Sequence, residues 1–349
     1  MAALWPWSRE PDFSTRRKQA RAPKPARMAT RMDGGVPAAE GISLQSPRLR
    51  RALALTMPEE PRRLGRDLPA IALARYALAR LALELLHFEV LVRLRADVED
   101  VHHARSTVRR LRAVLRGFRS FLDRVWADTL REDLRWFAGE LAGVRDIDVT
   151  LEQLRSRSQV IPNSERPHLD GILSNLAAAR ENARARLLET LEGAHFASLS
   201  RSLESAALRP KLAAEDISTA RQLGKKSLQK TAKRVRKVVE SASESCSANE
   251  LHHARIVVRN GRYVAEACEP VLGRPARRLS KRLARMQESL GAVSDATLIQ
   301  NRLRTLLVHD GAGIVVGELL ALQAVDGERA RRGWQRLRRK ALHEGWLHA

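Results

Sequence analysis

Histidine and arginine side chains follow one another at helical spacing near residue 100. The first copy of this pattern consists of His102, Arg105, Arg109, Arg112 and Arg116. Successive residues of an α-helix turn by about 100°, so these side chains would form one basic stripe that rises roughly 16 Å from Arg105 to Arg116. Arginine binds phosphate or carboxylate oxygens through paired hydrogen bonds. The spacing therefore predicts a track for an anion that is longer than a single phosphate group.

The same arrangement occurs again 150 residues later in the chain. The second copy consists of His252, Arg255, Arg259 and Arg262, followed by Tyr263. Two further segments, LAGVRD at 141–146 and LGAVSD at 290–295, repeat with an offset of 149. A single arginine stripe can equally be a solvated helix face, but two copies in register favour a binding role. We therefore expect both stripes to line a groove or the gap between two bundles.

The elements that must position these stripes are helices. Leu, Ala and Val recur at i, i+4, i+7 and i+11, and no alternating pattern typical of β-strands competes with them. The sequence therefore predicts an all-α fold of two tandem, pseudo-symmetric helical bundles. The predicted helices cover roughly 69–96, 99–122, 126–142, 147–157, 167–192, 214–241, 249–270, 275–291, 295–309 and 313–343.

Composition limits the function classes. The chain has 349 residues and a formal net charge of +23, and 53 of its 63 basic residues are arginine, which predicts an anionic partner. Aromatic residues make up only 4% of the chain, few for a protein that stacks nucleic-acid bases. With two cysteines the chain has no disulfide framework or cysteine-rich metal module, which fits a reducing cytoplasm. No stretch reads as a signal peptide or membrane span.

Proline and charge distribution set the expected domain boundaries. Eight of the 14 prolines fall in residues 1–67, where no apolar periodicity is visible. We predict that 1–67 is a disordered basic tail. The folded part would span 68–345, with a first half at about 68–210 and a second at about 211–345. The sequence makes no prediction about the oligomeric state.

Other residues admit a catalytic or metal-binding interpretation, for which the sequence gives little support. The histidine pairs lack histidine or carboxylate partners at i+4, and a metal ion there would lie beside Arg105. His102 and His252 are expected either to be structural or to donate hydrogen bonds to phosphate. Asp146, Asp148 and Asp295 are expected to cap helices. We find no enzyme signature and no cofactor motif, and we expect the lysines from Lys226 to Lys237 to form a solvated face.

The two motif copies together resemble the conserved histidine α-helical domain, called CHAD. The resemblance rests on the pattern VHxxRxxxRRLR at 101–112, on the LAGVRDIDV run at 141–149 and on their degenerate second copies, and it covers about 68–345. It implies two helical bundles around a basic central groove or pore that binds inorganic polyphosphate. It also implies association with polyphosphate granules in the cytoplasm. By position, Arg110 joins the predicted ligands of the first copy.

The second copy departs from the family pattern at Asn260 and Gly261, where a basic residue and a leucine are usual. We expect this to weaken one arm of the site, and Gly261 to cost its helix about 1 kcal/mol. The sequence thus predicts a protein that binds inorganic polyphosphate, has no enzymatic activity and requires no metal or cofactor. The alternatives are a nucleic-acid-binding helical protein and a magnesium-dependent polyphosphate phosphohydrolase.

Overall fold

A computed structural model describes residues 68–94, 98–157, 163, 166–213, 219–243, 246–307 and 313–347, all within one compact unit. The predicted tail, 1–67, lies outside the described residues. Within these ranges the chain forms nine α-helices and no β-strand, which confirms the predicted all-α class. The helices are α1 (Ala70–Leu94), α2 (Val98–Gly117), α3 (Arg124–Arg157), α4 (Arg166–Glu192), α5 (Ala194–Leu208), α6 (Ala220–Ser241), α7 (Ala248–Leu272), α8 (Arg274–Leu307) and α9 (Gly313–His343).

Two predicted helix breaks are absent. The expected interruptions at about 142–147 and 291–295 lie inside the continuous helices α3 and α8. The reason in α3 is an unbroken buried stripe, which includes Leu141, Val144, Ile147 and Leu151. An apolar stripe that stays on one face favours continuation of the helix over a local break signal.

The aspartates of the repeated motif do not cap helices, contrary to prediction. Asp146 and Asp148 lie in the interior of α3, and residue 295 lies within α8, although the Asp295 side chain is outside the described part of the structure. The Asp148 side chain is buried and accepts a hydrogen bond from Arg180 Nε at 2.6 Å. That partly buried pair joins α3 to α4.

Helix α5 is absent from the predicted set. Its buried face includes Phe196, Leu199, Leu203 and Ala207, at a helical spacing that the sequence already displayed. It follows α4 after the single residue Gly193, which has an extended backbone conformation (ψ 155°). The chain turns here within one residue. The sequence therefore has no proline or polar run that would mark the start of α5.

Helix α1 lies at the centre of the fold. It packs against α2, α5, α6 and α7, and its side chains from Leu73 to Leu86 are mostly buried. A helix that is apolar on most of its circumference is suited to such a position. In the described part of the chain no helix is both long and apolar enough to cross a bilayer.

The two halves of the chain meet along the helices that carry the motifs. Helix α2 packs against α7, while α1 packs against α6 and α7. A Cβ atom added to Gly117 would lie 2.6 Å from Val264 Cγ2, and one added to Gly261 would lie 2.8 Å from Val235 Cγ2. Glycine at these positions allows close helix approach, so Gly261 has a packing role that offsets its expected cost to the helix. The predicted pseudo-twofold symmetry and central groove stay predictions.

Helix α9 holds the connection between α6 and α7. Arg338 donates hydrogen bonds to the carbonyls of Val239 and Glu240, both at 2.7 Å, at the end of α6. Gln335 donates to the carbonyl of Ser243 at 2.8 Å, and Arg331 to that of Cys246 at 2.7 Å. The last carbonyls of a helix have no partner within that helix. Helix α9 therefore supplies hydrogen-bond donors to the carbonyl groups at the end of α6 and fixes the chain just before α7 begins.

Candidate functional site: an arginine seam between α2 and α7

Four arginines of the two motif copies come together where α2 meets α7. Arg105 and Arg109 lie on α2, and Arg255 and Arg259 lie on α7; we call these four residues the arginine seam. Burial and the charges of Arg109, Arg255 and Arg105 lower the pKa of Arg259 to about 10. Burial likewise lowers the pKa of Arg109, against a raising effect of Tyr263. The structure therefore joins, across the two halves, residues that are 150 positions apart in sequence.

Two donor groups of the seam, on Arg109 and Arg259, have no partner in the described part of the chain. Arg109 lies close to Tyr263 and donates a hydrogen bond from Nη2 to Ser106 Oγ at 3.0 Å. The buried Nε atoms of Arg109 and Arg259 have no hydrogen-bond partner among the described residues. A buried donor without an acceptor costs about 1–3 kcal/mol. The seam thus has both positive charge and donor capacity that the described protein groups do not satisfy.

The LAGVRD segment at 141–146 places one acidic side chain beside the seam. Arg105 Nη1 donates to Asp146 Oδ1 at 2.8 Å, and both side chains are partly exposed. On α8, a Cβ atom added to Gly291 would lie 3.9 Å from Arg255 Nη2. Both LAGVRD and LGAVSD therefore lie beside the seam.

The histidines of each pair differ in their surroundings. His102 is partly buried, and burial and the charge of Arg145 lower its pKa. The His252 side chain is largely exposed, and its remaining desolvation together with the charges of Arg255 and Arg259 lowers its pKa. His103 instead stacks on Phe88, with ring centroids 5.0 Å apart. His102 and His252 therefore lie in positively charged surroundings and His103 has a structural contact.

Arg110 and Arg262 have partners within the protein. Arg110 Nη1 donates to Glu84 Oε1 at 3.2 Å, an oxygen that also accepts from Thr107. Arg262 Nε donates to Glu266 Oε1 at 2.7 Å. The guanidinium carbons of both arginines lie over the Tyr263 ring, 5.6 and 6.0 Å from its centroid. The structure thus gives these two predicted ligands a packing role around Tyr263.

Arg112 and Arg116 extend the basic stripe along α2, away from the seam. Burial lowers the pKa of both, and Arg131 lies close to each. The Nε atom of Arg112 is buried without a hydrogen-bond partner in the described chain. Arg116 also lies near Arg234 of α6.

A cavity of about 300 Å³ opens at this end of the stripe, between α2, α6 and α7. Its basic lining residues include Arg116, Arg124, Lys230 and Arg234, and Asn260 contributes an amide. Lys230 is one of the lysines that the sequence assigned to a solvated face. Lys230 and Arg234 were missed because their relation to α2 depends on how the two halves pack.

Within the described ranges, no group of three His, Cys, Asp or Glu side chains is arranged to hold a metal ion. The donors that the structure does bring together are guanidiniums, an ammonium group and imidazoles. Such donors bind anionic oxygens through charge-assisted hydrogen bonds.

Comparisons with known proteins agree with this architecture. The structure is similar to PptA from Streptomyces chartreusis, with a TM-score of 0.63 and 21% sequence identity over 77% of this chain and 99% of that one. It is also similar to the CHAD domain from the plant Ricinus communis, with a TM-score of 0.61 and 25% identity over 77% of this chain and 93% of that one. Comparison with curated proteins gave no significant match. The family model of the CHAD domain matches residues 75–304, well over half of the chain, so the chain belongs to the CHAD domain family.

Proposed function

We propose that this protein binds inorganic polyphosphate along the arginine seam and the adjoining cavity, without hydrolysing it. The observation that carries the proposal is the environment of Arg259, a largely buried guanidinium whose pKa is lowered by the charges of three others. Repulsion within such a cluster opposes folding. A linear polyanion supplies the missing negative charge at short, regular intervals and releases counterions when it binds.

The extent of the basic track favours a chain of phosphates over a single one. The α2 stripe continues from the seam through Arg112 to Arg116, and Lys230 and Arg234 adjoin its far end. The distance along α2 is roughly 16 Å at 1.5 Å per residue. One phosphate group could contact only one end of this track.

The position of Tyr263 favours polyphosphate over nucleic acid. Its ring is buried, and Arg110 and Arg262 lie over it. Proteins that bind single-stranded nucleic acid commonly stack bases on aromatic side chains. Tyr263 is not accessible for such stacking, whereas phosphate contacts require only the guanidiniums.

Binding without hydrolysis is supported by the state of the acidic group beside the seam. A metal-dependent phosphohydrolase uses carboxylates to hold the ions that activate water. The Asp146 carboxylate already accepts a hydrogen bond from Arg105. We expect no release of phosphate from polyphosphate when the protein is incubated with Mg²⁺ or Mn²⁺. Release at a rate proportional to protein concentration would favour the phosphohydrolase alternative.

The proposal is tested by titrating the full chain with polyphosphates of defined length. The key variant is Arg109→Met combined with Arg259→Met, and the matched control is Arg201→Met, an exposed arginine on α5. Each lost charge-assisted contact costs about 1.5–3 kcal/mol, so the double variant, which loses two, should bind at least about a hundredfold more weakly. Equal affinity in the variant, or preference for duplex DNA at equal phosphate concentration, would contradict the proposal.

We further propose that the protein resides at polyphosphate granules in the cytoplasm. A fluorescently labelled full chain should colocalise with granules and become diffuse in cells that lack polyphosphate. The Arg109→Met, Arg259→Met variant should be diffuse in both. A pattern unaffected by the loss of polyphosphate would show that another component positions the protein.

A further inference from the structure

A second cavity lies on the other side of α6, apart from the arginine seam. It has a volume of about 490 Å³ and is formed by α6, the end of α7, the start of α8 and Trp346, which follows α9. Its α6 residues include Arg221, Lys225 and Leu228, whereas Lys230 and Arg234 border the first cavity. At about 100° per residue these two sets point in opposite directions from α6. The two cavities are therefore separate.

The floor of the second cavity is apolar. Leu228, Leu279 and Trp346 are buried, with exposed fractions of 5%, 4% and 5%, and Leu272 lies beside them. Trp346 is fixed in place, because Arg282 Nη1 donates to its carbonyl at 3.0 Å and its own Nε1 donates to Glu344 at 2.7 Å. A preformed apolar wall of this kind stabilises a ligand by removing hydrocarbon from water.

The rim of the cavity is positively charged. Arg221, Lys225 and Arg278 line it and are exposed. Among the described residues, none of these three forms an ion pair, and the cavity lining contains no Asp or Glu. Arg282, the fourth cation, lies 5.9 Å from the centre of the Trp346 ring. A ligand with a negative head and an apolar body would contact both the rim and the floor.

We propose that this cavity binds a small amphipathic anion, an alkyl or acyl chain that ends in a phosphate or carboxylate group. The volume lies in the range of small-molecule sites, about 300–1,000 Å³, which favours a free small molecule over a macromolecular partner. The apolar floor holds the chain, and Lys225, Arg221 and Arg278 hold the head. This inference does not depend on polyphosphate binding at the seam, since the two cavities share no lining residue.

The test uses a series of alkyl phosphates, from butyl to octyl phosphate, titrated into the full chain below their micelle concentrations. Affinity should increase by about fourfold for each added methylene until the cavity is filled. Inorganic phosphate and octyltrimethylammonium, which lack the tail and the negative head respectively, should bind far more weakly. Binding can be followed calorimetrically.

Two variants at the rim locate the site. Lys225→Glu and Arg278→Glu should each weaken octyl phosphate binding by about three- to tenfold, as expected for exposed charges. Lys233→Glu, at an exposed lysine of α6 that borders neither cavity, is the control and should have no effect. Three outcomes overturn the proposal: affinity that is independent of chain length, equal weakening by the control, and binding of an acidic peptide but of no alkyl phosphate.

Discussion

Replacing Arg259 by methionine should make the protein more stable and less able to bind polyphosphate. Burial and three neighbouring arginines lower the Arg259 pKa from 12.5 to about 10. At 1.36 kcal/mol per pH unit, this shift corresponds to a folding penalty of about 3 kcal/mol for the charged guanidinium. Because the side chain is partly exposed, solvent screening reduces the penalty, and we expect a gain of about 1–2 kcal/mol in the free energy of unfolding. Methionine keeps most of the apolar stem and removes the charge.

The assay is urea denaturation of the full chain without polyphosphate, for wild type and Arg259→Met. The midpoint should increase while the dependence on urea concentration stays the same. In polyphosphate titrations the variant should bind about tenfold or more weakly. The slope of log affinity against log salt concentration should become shallower by about 0.7–1, because one phosphate contact is lost.

Two results would refute this reasoning. A decrease in stability of 1 kcal/mol or more would show that the Arg259 guanidinium makes net favourable contacts in the folded protein. Unchanged affinity and salt slope would show that Arg259 does not contact polyphosphate. Arg201→Met is expected to change neither quantity. Adding Arg109→Met to the variant should give a smaller second gain in stability, since part of the repulsion has already been removed.

Three further predictions concern pH, packing and the N-terminal segment. The pKa values of His102 and His252 are lowered in the free protein, and a bound anion would raise them. Polyphosphate affinity should therefore be highest at low pH and decrease as the pH rises from the free to the bound pKa. A His102→Gln, His252→Gln variant should lack this pH dependence. Gly261→Ala should lower the free energy of unfolding by about 1 kcal/mol or more, because the added Cβ would lie too close to α6. Gly139 has open space around it, so Gly139→Ala should raise the free energy of unfolding by up to about 1 kcal/mol. Equal effects of the two substitutions in urea denaturation would contradict the packing role of Gly261. Deleting 1–67 should leave the helical circular dichroism and keep polyphosphate affinity within about tenfold, and an unfolded truncation would show that this segment contributes to the core.

The sequence was sufficient to predict the helical class and to single out the motif arginines that the structure brings together between α2 and α7. The spacing of apolar residues within a helix is a property of that helix alone. A buried or exposed stripe can therefore be recognised without knowing which helices pack against it. The breaks predicted near Asp146 and Asp295 were wrong because local capping preference is weak beside a continuous buried stripe. Asp146 instead pairs with Arg105, which is 41 residues away.

What the sequence could not distinguish is which basic residues have partners across helices. Arg109 and Arg110 are neighbours in the same motif, yet Arg110 pairs with Glu84 while Arg109 lies in the seam. Lys230 resembled the other lysines of α6 but borders the first cavity. These differences arise from the packing of α2 against α1 and α7 and from the position of α6 at the first cavity. No periodicity within a single helix reports such packing.

The hydrogen bonds from α9 to the end of α6 affect the order in which the protein can assemble during translation. The carbonyls of Val239, Glu240 and Ser243 accept from Arg338 and Gln335, which are synthesised about a hundred residues later. At about 5–20 residues per second, the ribosome needs on the order of ten seconds to a minute between Arg109 and Arg338. During that interval the arginines of α2 carry their charge before α9 is available to fix the chain that leads into α7. The nascent chain thus carries the positive charge of α2 before the complete arginine seam can form.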